Sequence, residues 1–155
     1  MPVANGRERE MVTRVELEAL TQRWIEEGWR KGDAEAVLAL LSPDFVDFSN
    51  PYAAPSGRPG TGAQNVAGIR ELYEAFPDFY TEIDDLVIDV EAGKVAVRWT
   101  ATGTHRGDFL GVAPSGRQVV FHGIETLRIA DGMITERAGE WDGIAILSQI
   151  SDPSG

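Results

Sequence analysis

The sequence predicts an α+β fold: three helices in the first half, packed on a curved antiparallel sheet built by the second half. Two observations predict it. Apolar residues recur at helical spacing up to Phe76, and from Tyr80 onward they alternate with a period of two. Helices followed by strands indicate segregated α+β architecture, not an alternating parallel sheet. A strongly twisted sheet with helices across one face makes a cone-shaped barrel, and the interior of such a cone is a natural small-molecule pocket.

The chain has 155 residues, which suits one domain able to bury about two-thirds of its unfolded surface. That domain is expected over residues 12–151, after a polar, disordered tail at 1–11. Thr13 stands three residues before Glu16, the spacing of a helix-starting capping box. Leu17, Leu20, Trp24, Ile25 and Gly28 then mark the first helix. Gly32 ends it and Asp33 can cap a second, which runs through Val37 and Leu41 to a stop at Ser42-Pro43. Phe45 to Phe48 alternates and reads as a short strand. Residues 49–62 are rich in Pro, Gly and Ser, a loop of the length that usually carries function. A third helix places Val66, Ile69, Leu72, Tyr73 and Phe76 along one side, and Pro77 ends it.

Strands follow at Tyr80–Val90, Val95–His105 and Val119–Ile129. Val95, Val97, Trp99, Ala101, Gly103 and His105 share a face. Asp131-Gly132 is a hairpin signal leading to a last strand, Met133 to Trp141. A short apolar helix, Ile144 to Ile150, closes the chain.

Composition narrows function. With 14 Lys and Arg against 25 Asp and Glu, the net charge is −11. Nucleic acid would be repelled, and no basic stripe is present to hold it. No apolar run is long enough for a membrane span, and the first ten residues lack the apolar stretch of a signal peptide. The expected compartment is the cytoplasm. No cysteine is present, and two isolated histidines give no ligand spacing, so no metal site is expected. The glycines of GRPGTG lack the lysine and preceding strand of a phosphate loop.

Glu125 is the most informative candidate. It shares the inward parity of Val119, Phe121, Leu127 and Ile129. A carboxylate taken out of water is suited to proton transfer near neutral pH. It could equally be satisfied by an arginine or a backbone N–H, or be turned outward by a bulge. If Ala130 and Met133 flank the turn, Glu125 lies opposite Ala138, Leu127 opposite Glu136 and Gly123 opposite Glu140. The three glutamates would then share one face, unless a bulge near Ala138-Gly139 divides them. His105 could donate to a substrate carbonyl or simply bond a nearby loop. His122 has the opposite parity. Trp24, Trp99, Trp141, Phe45 and Tyr73 are candidate pocket walls for a flat, apolar ligand. Asp47 and Asn50 are candidates for its mouth. Arg98 and Arg137 occupy positions that favour exposure and surface ion pairs.

The stretch from Gly103 to Gly143 resembles the SnoaL-like polyketide cyclases of the nuclear transport factor 2-like superfamily. The residues that carry this are Gly103-x-His105-x-Gly107, Phe109-Leu110-Gly111, Pro114-Ser115-Gly116, the Asp131-Gly132 turn, Glu136 and Trp141-Asp142. Upstream, Leu41-Ser42-Pro43-Asp44-Phe45 and Phe76-Pro77-Asp78 also fit. The resemblance implies a cystatin-like cone, a homodimer and a cofactor-free pocket in which an aspartate acts as acid/base and a histidine holds the substrate. This chain departs at those positions. Counted from the Asp-Gly turn, the aspartate falls on Gly139 and the histidine on Glu125. The arginine–aspartate pattern of related epoxide hydrolases is absent, with Trp99 and Ala101 in its place.

The expectation is therefore an enzyme that binds a small apolar ligand and moves a proton α to its carbonyl, without cofactor. Glu125 would be the base, or Asp142 if a bulge turns it inward. His105 or the Trp141 indole would be the donor to the developing oxyanion. The alternatives are a non-catalytic binder of such a ligand and a dimeric scaffold using the outer sheet face at Arg98, Thr100, Thr102, His122 and Thr126.

Overall fold

The computed structural model describes residues 11–49 and 59–151. Asn50, most of the proline-rich loop and the first ten residues of the tail lie outside the described residues. Among the described residues, no helix is long and apolar enough to cross a membrane.

Helix α1 spans Arg14–Trp24 and opens on the expected capping box, with the Thr13 amide donating to Glu16 at 2.7 Å. It then widens into a π-helical segment, Ile25–Arg30, which the apolar spacing does not reveal. Gly32 adopts φ 65° and ends the run. Asp33 caps α2, Ala34–Leu38, by accepting from the Ala36 amide at 3.0 Å. This helix stops short of the expected Ser42-Pro43. Strand β1 begins at once, Leu41–Asp47, because Leu41 and Phe45 are buried. Two residues of β2, Gly60–Thr61, lead into α3, Gly62–Ala75, where Thr61 and Gln64 form a second capping box.

Strands β3 (Tyr80–Asp89), β4 (Lys94–Thr104), β5 (Gln118–Ala130) and β6 (Met133–Trp141) form the expected meander. Helix α4, Gly143–Ser151, follows. The six strands make one sheet in the order β2-β1-β6-β5-β4-β3, open between its edges. One pairing departs from the antiparallel expectation: β1 runs parallel to β6, with Asp47 beside Arg137. The register of that pair shifts between Leu41 and Val46, the stretch containing Pro43, which has no N–H to offer a ladder.

The β5–β6 register corrects the expected one by a single residue. Ala130 and Met133 flank the turn, and Ile129 faces Ile134, but Arg128 then faces Glu136. Thr135 is the extra residue. An unpaired residue flips every side chain beyond it to the other face. Glu125 therefore lies opposite Gly139, Leu127 opposite Arg137 and Gly123 opposite Trp141. The three glutamates do not share a face: Glu125 is 1% exposed, whereas Glu140 is exposed and Glu136 pairs with Arg128 at 3.1 Å. Arg137, expected outside, is buried. Arg98 is exposed as expected.

Two apolar clusters fill the space between helices and sheet. One packs Leu17, Trp24, Val37, Ile69, Val95, Leu127 and Ile134. The other gathers Phe76, Phe79, Trp99, Phe121 and Ile146, with Trp29, Phe109 and Trp141 partly buried against it.

Candidate active site

The second cluster is hollow. A cavity of about 630 Å³ opens within it, inside the range of sites that enclose a drug-sized ligand. Its walls are aromatic: Trp29, Phe79, Trp99, Phe109, Phe121 and Trp141, with Leu72 and Ile146. Some of the rings meet edge-on, as in Trp99–Phe121 at 5.7 Å and 83°, and others are tilted, as in Phe109–Trp141 at 6.2 Å and 43°. Trp99 lies opposite Gly123 in the register, and its ring occupies the space where a side chain at Gly123 would stand. Leu110, in a turn with φ 50°, the buried Thr81 and the exposed residues Glu71, Glu74 and Asp108 also line it.

Polar groups converge on one side, at Arg137, Ser49 and Gly139. Arg137 donates from Nε to Glu125 Oε2 at 2.9 Å, and its Nη2 forms an ion pair with the same oxygen at 2.7 Å. Its Nη1 donates to Asp47 Oδ2 at 3.0 Å and to Ser49 Oγ at 2.9 Å. The guanidinium lies over the rings of Trp24 and Trp29, at 5.7 and 5.6 Å. Burial works against its charge. The facing carboxylates of Glu125 and Asp47 outweigh that and hold it above the ordinary arginine value.

The carboxylates are served by neutral donors as well. Glu125 Oε1 accepts from Trp24 Nε1 at 2.6 Å. Asp47 accepts from Asn65 Nδ2 and from the Ser49 amide, both at 2.9 Å. Both oxygens of Glu125 are thus occupied, and Glu125 stands behind Arg137, outside the lining. Of the five N–H bonds of a guanidinium, the three on Nε and Nη1 donate to these partners, and Nη2 meets only the Glu125 oxygen among the described residues. Ser49 Oγ accepts from Arg137 and from the Gly139 amide at 2.7 Å, which leaves its hydroxyl proton uncommitted among the described residues. A Cβ on Gly139 would stand 2.8 Å from Arg137 Nη2. The absence of a side chain at Gly139, the position of the expected aspartate, is what admits the guanidinium.

The sequence-nominated residues divide. Trp99 and Trp141 line the cavity. Trp24 lies beneath it, bonded to Glu125. Phe45 belongs to the solid cluster. Tyr73 packs between the clusters with its hydroxyl donating to the Phe79 carbonyl at 3.2 Å, and burial pushes its phenol well above the usual value. His105 is fully buried, but it stacks against Phe76 and meets Ser115 at 2.9 Å, the loop contact that was its other reading. Asp142 is exposed and caps α4 through the Ala145 amide at 2.9 Å. His122 is exposed and bonded to Thr100. Asp47 is fully buried beside Arg137, not at a mouth. Arg137 and Ser49 were missed as site residues, and Trp29, one of four tryptophans whose number suggests aromatic walls, lines the cavity as well. The signal for Asp47 was its shared parity with Phe45, and an inward carboxylate on each of two strands calls for a cation between them. Among the described residues no group of three or more His, Asp or Glu is placed to hold a metal ion.

An aromatic cavity between helices and an open mixed sheet, with one polar side, defines a small-ligand protein of the α+β type. Within that class the match is specific. The chain belongs to the SnoaL-like polyketide cyclase family, whose model matches residues 19–150. Among solved structures it is similar to AclR of Streptomyces galilaeus, described as a candidate hydroxylase, at 28% identity and TM-score 0.79, covering 92% of this chain and 86% of that one. It is also similar to IdmH of Streptomyces antibioticus, described as a candidate polyketide cyclase, at 27% identity and TM-score 0.74, covering 88% and 99%. A candidate SnoaL-like polyketide cyclase of Jannaschia sp. CCS1 matches at 26% identity and TM-score 0.77, covering 90% and 94%. No curated protein sequence matches the chain.

Proposed function

We propose that the protein binds a small, uncharged, mostly apolar carbonyl compound and promotes proton loss next to that carbonyl, the step that precedes ring closure. The carrying observation is Arg137: a buried cation beside an apolar cavity, with an N–H uncommitted among the described residues. A carbonyl oxygen set against Arg137 Nη2 and the Ser49 hydroxyl is polarised. As the α C–H bond breaks, its electron pair moves onto that oxygen, where prearranged donors stabilise the charge. The proton leaves to a carboxylate of the lining, Glu71, Glu74 or Asp108, or to water at the mouth. If the resulting enolate carbon attacks a second carbonyl of the same molecule, a C–C bond forms and the new alkoxide takes a proton back.

This reading gives Glu125 a different part from the one its burial suggested. With both oxygens occupied, it positions Arg137 instead of meeting the ligand. The ligand enters uncharged because the lining carries Glu71, Glu74 and Asp108, and because the buried cluster sets two carboxylates against one guanidinium. The setting is that of a cytoplasmic homodimer, with exposed Val120 and Ile124 on the outer face of β5 as apolar surface for a second copy. The non-catalytic binder remains the second reading, favoured by the absence of a buried carboxylate from the described cavity lining.

The test is deuterium uptake at the α-carbon of aryl ketones and 1,3-diketones in D₂O, followed by NMR, with binding read from tryptophan fluorescence. Exchange faster than in buffer, lost in Arg137→Gln, is the expected result. Saturable binding with exchange no faster than buffer would select the binder. No binding by any member of the panel would overturn both.

A further inference from the structure

The π-helical segment has a consequence for what the cavity accepts. In an α-helix, residues five apart point well away from each other, since 3.6 residues complete a turn. A π-turn closes one residue later, as in the Lys31 amide bonding the Glu26 carbonyl at 3.1 Å. This wider turn brings Trp24 and Trp29 onto one side of the helix, with ring centres 5.9 Å apart. Trp24 spends its N–H on Glu125. Trp29 does not: its Nε1 is buried and has no hydrogen-bond partner among the described residues. A buried N–H left unmade costs about 1–3 kcal/mol, and π-turns recur where a helix is distorted for function.

Trp29 lines the cavity, and its ring centre is 5.6 Å from the Arg137 guanidinium carbon. We infer that Trp29 Nε1 is the second oxygen-binding group of the site, and that the preferred ligand carries two oxygens on one edge, as a 1,3-dicarbonyl does. This rests on the proposed function, since Arg137 and Ser49 receive the first oxygen. The second oxygen meets the indole N–H once the Trp29 ring turns to bring Nε1 into the cavity. A mono-ketone satisfies only the first pair and leaves the indole unpaired. The π-turn is then a specificity device, placing a donor beside the cavity where a regular helix would place none.

The test compares 1-phenylbutane-1,3-dione with 1-phenylbutan-1-one, which differ by one carbonyl. In ¹H–¹⁵N spectra of the wild-type protein, the Trp29 indole resonance, assigned by its loss in Trp29→Phe, should move downfield with the dione and not with the mono-ketone. Trp29→Phe keeps a ring in the wall and removes the donor. It should weaken dione binding about tenfold, the worth of one hydrogen bond, and leave mono-ketone binding within about twofold. An equal change for both ligands, or an indole resonance that ignores the dione while the ligand binds, would overturn the inference and leave the proposed function standing. Failure of both ligands to bind would instead strike the proposed function. The same resonance can be assigned in the wild-type protein by through-bond and through-space correlations, so an unstable Trp29→Phe does not shield the idea.

Discussion

At one end of the sheet, Leu17, Val37, Ile69, Val95, Leu127 and Ile134 are buried to within 1% of full enclosure, and the helices lie directly on the strands. At the other end, the same helices and strands present Trp29, Phe79, Trp99, Phe121 and Trp141, and they enclose about 630 Å³ of space. The difference is in the shape of the side chains. Aliphatic chains interdigitate to crystal-like density. Rings set edge to face brace one another and can form a wall with nothing behind it. The buried cluster of Asp47, Glu125 and Arg137 lies beside that hollow. Stability is concentrated in the filled end, and capacity for a ligand in the braced one.

The largest effect is expected where the charged cluster is broken. Arg137→Met leaves two buried carboxylates facing each other without their cation. Removing one partner of a buried ion pair costs about 3–5 kcal/mol, and urea unfolding should show a loss of that order at neutral pH. A loss under about 1 kcal/mol would mean that the neutral donors Trp24, Asn65 and Ser49 hold the carboxylates unaided.

A matched pair of truncations tests the contrast directly. Leu17 is fully buried in the filled end, and Leu72 lines the cavity. Leu17→Ala should cost about 2–5 kcal/mol, the usual range for emptying a packed site. Leu72→Ala removes a side chain that already faces open space, so it should cost less than about 1.5 kcal/mol. It should shift ligand affinity, whereas Leu17→Ala should not. Equal destabilisation at the two sites would mean that the cavity wall carries as much of the fold as the solid end does.

How much of this contrast the sequence discloses depends on the kind of signal. Element order, the four long strands and both ends of the last hairpin were legible, because alternation and the Asp131-Gly132 turn are local features. The inward burial of Glu125 was legible for the same reason. The side taken by Arg137 was not. It depends on one extra residue, Thr135, and no residue type announces a bulge there. Shifting parity at that point moves Arg137 in and leaves Glu136 and Glu140 on the other face. The π-turn at Ile25–Arg30 was equally silent, since Trp24, Ile25 and Gly28 satisfy an ordinary helical spacing. The site was therefore legible in its carboxylate and its aromatic walls, and hidden where geometry slipped by one residue.

The smallest effect concerns how the braced end is fastened. Asp78, in the turn after α3, accepts from the hydroxyl and the amide of Thr104, each at 2.7 Å, and so ties that turn to the end of β4. The Thr104 hydroxyl and then its amide hold the Asp78 carboxyl below the usual carboxylate range. A carboxylate depressed in the folded state contributes stability that is present above its unfolded pKa of about 3.9 and lost as pH falls through the folded value. Asp78→Asn should therefore lower the melting temperature slightly at neutral pH. The gap to wild type should close as pH drops below about 4. A gap of constant size across the titration would show that the turn is held by the shape of the Asp78 side chain and not by its charge. A gap confined to neutral pH, together with unchanged ligand binding, would make the fastening electrostatic and separate from the cavity it borders.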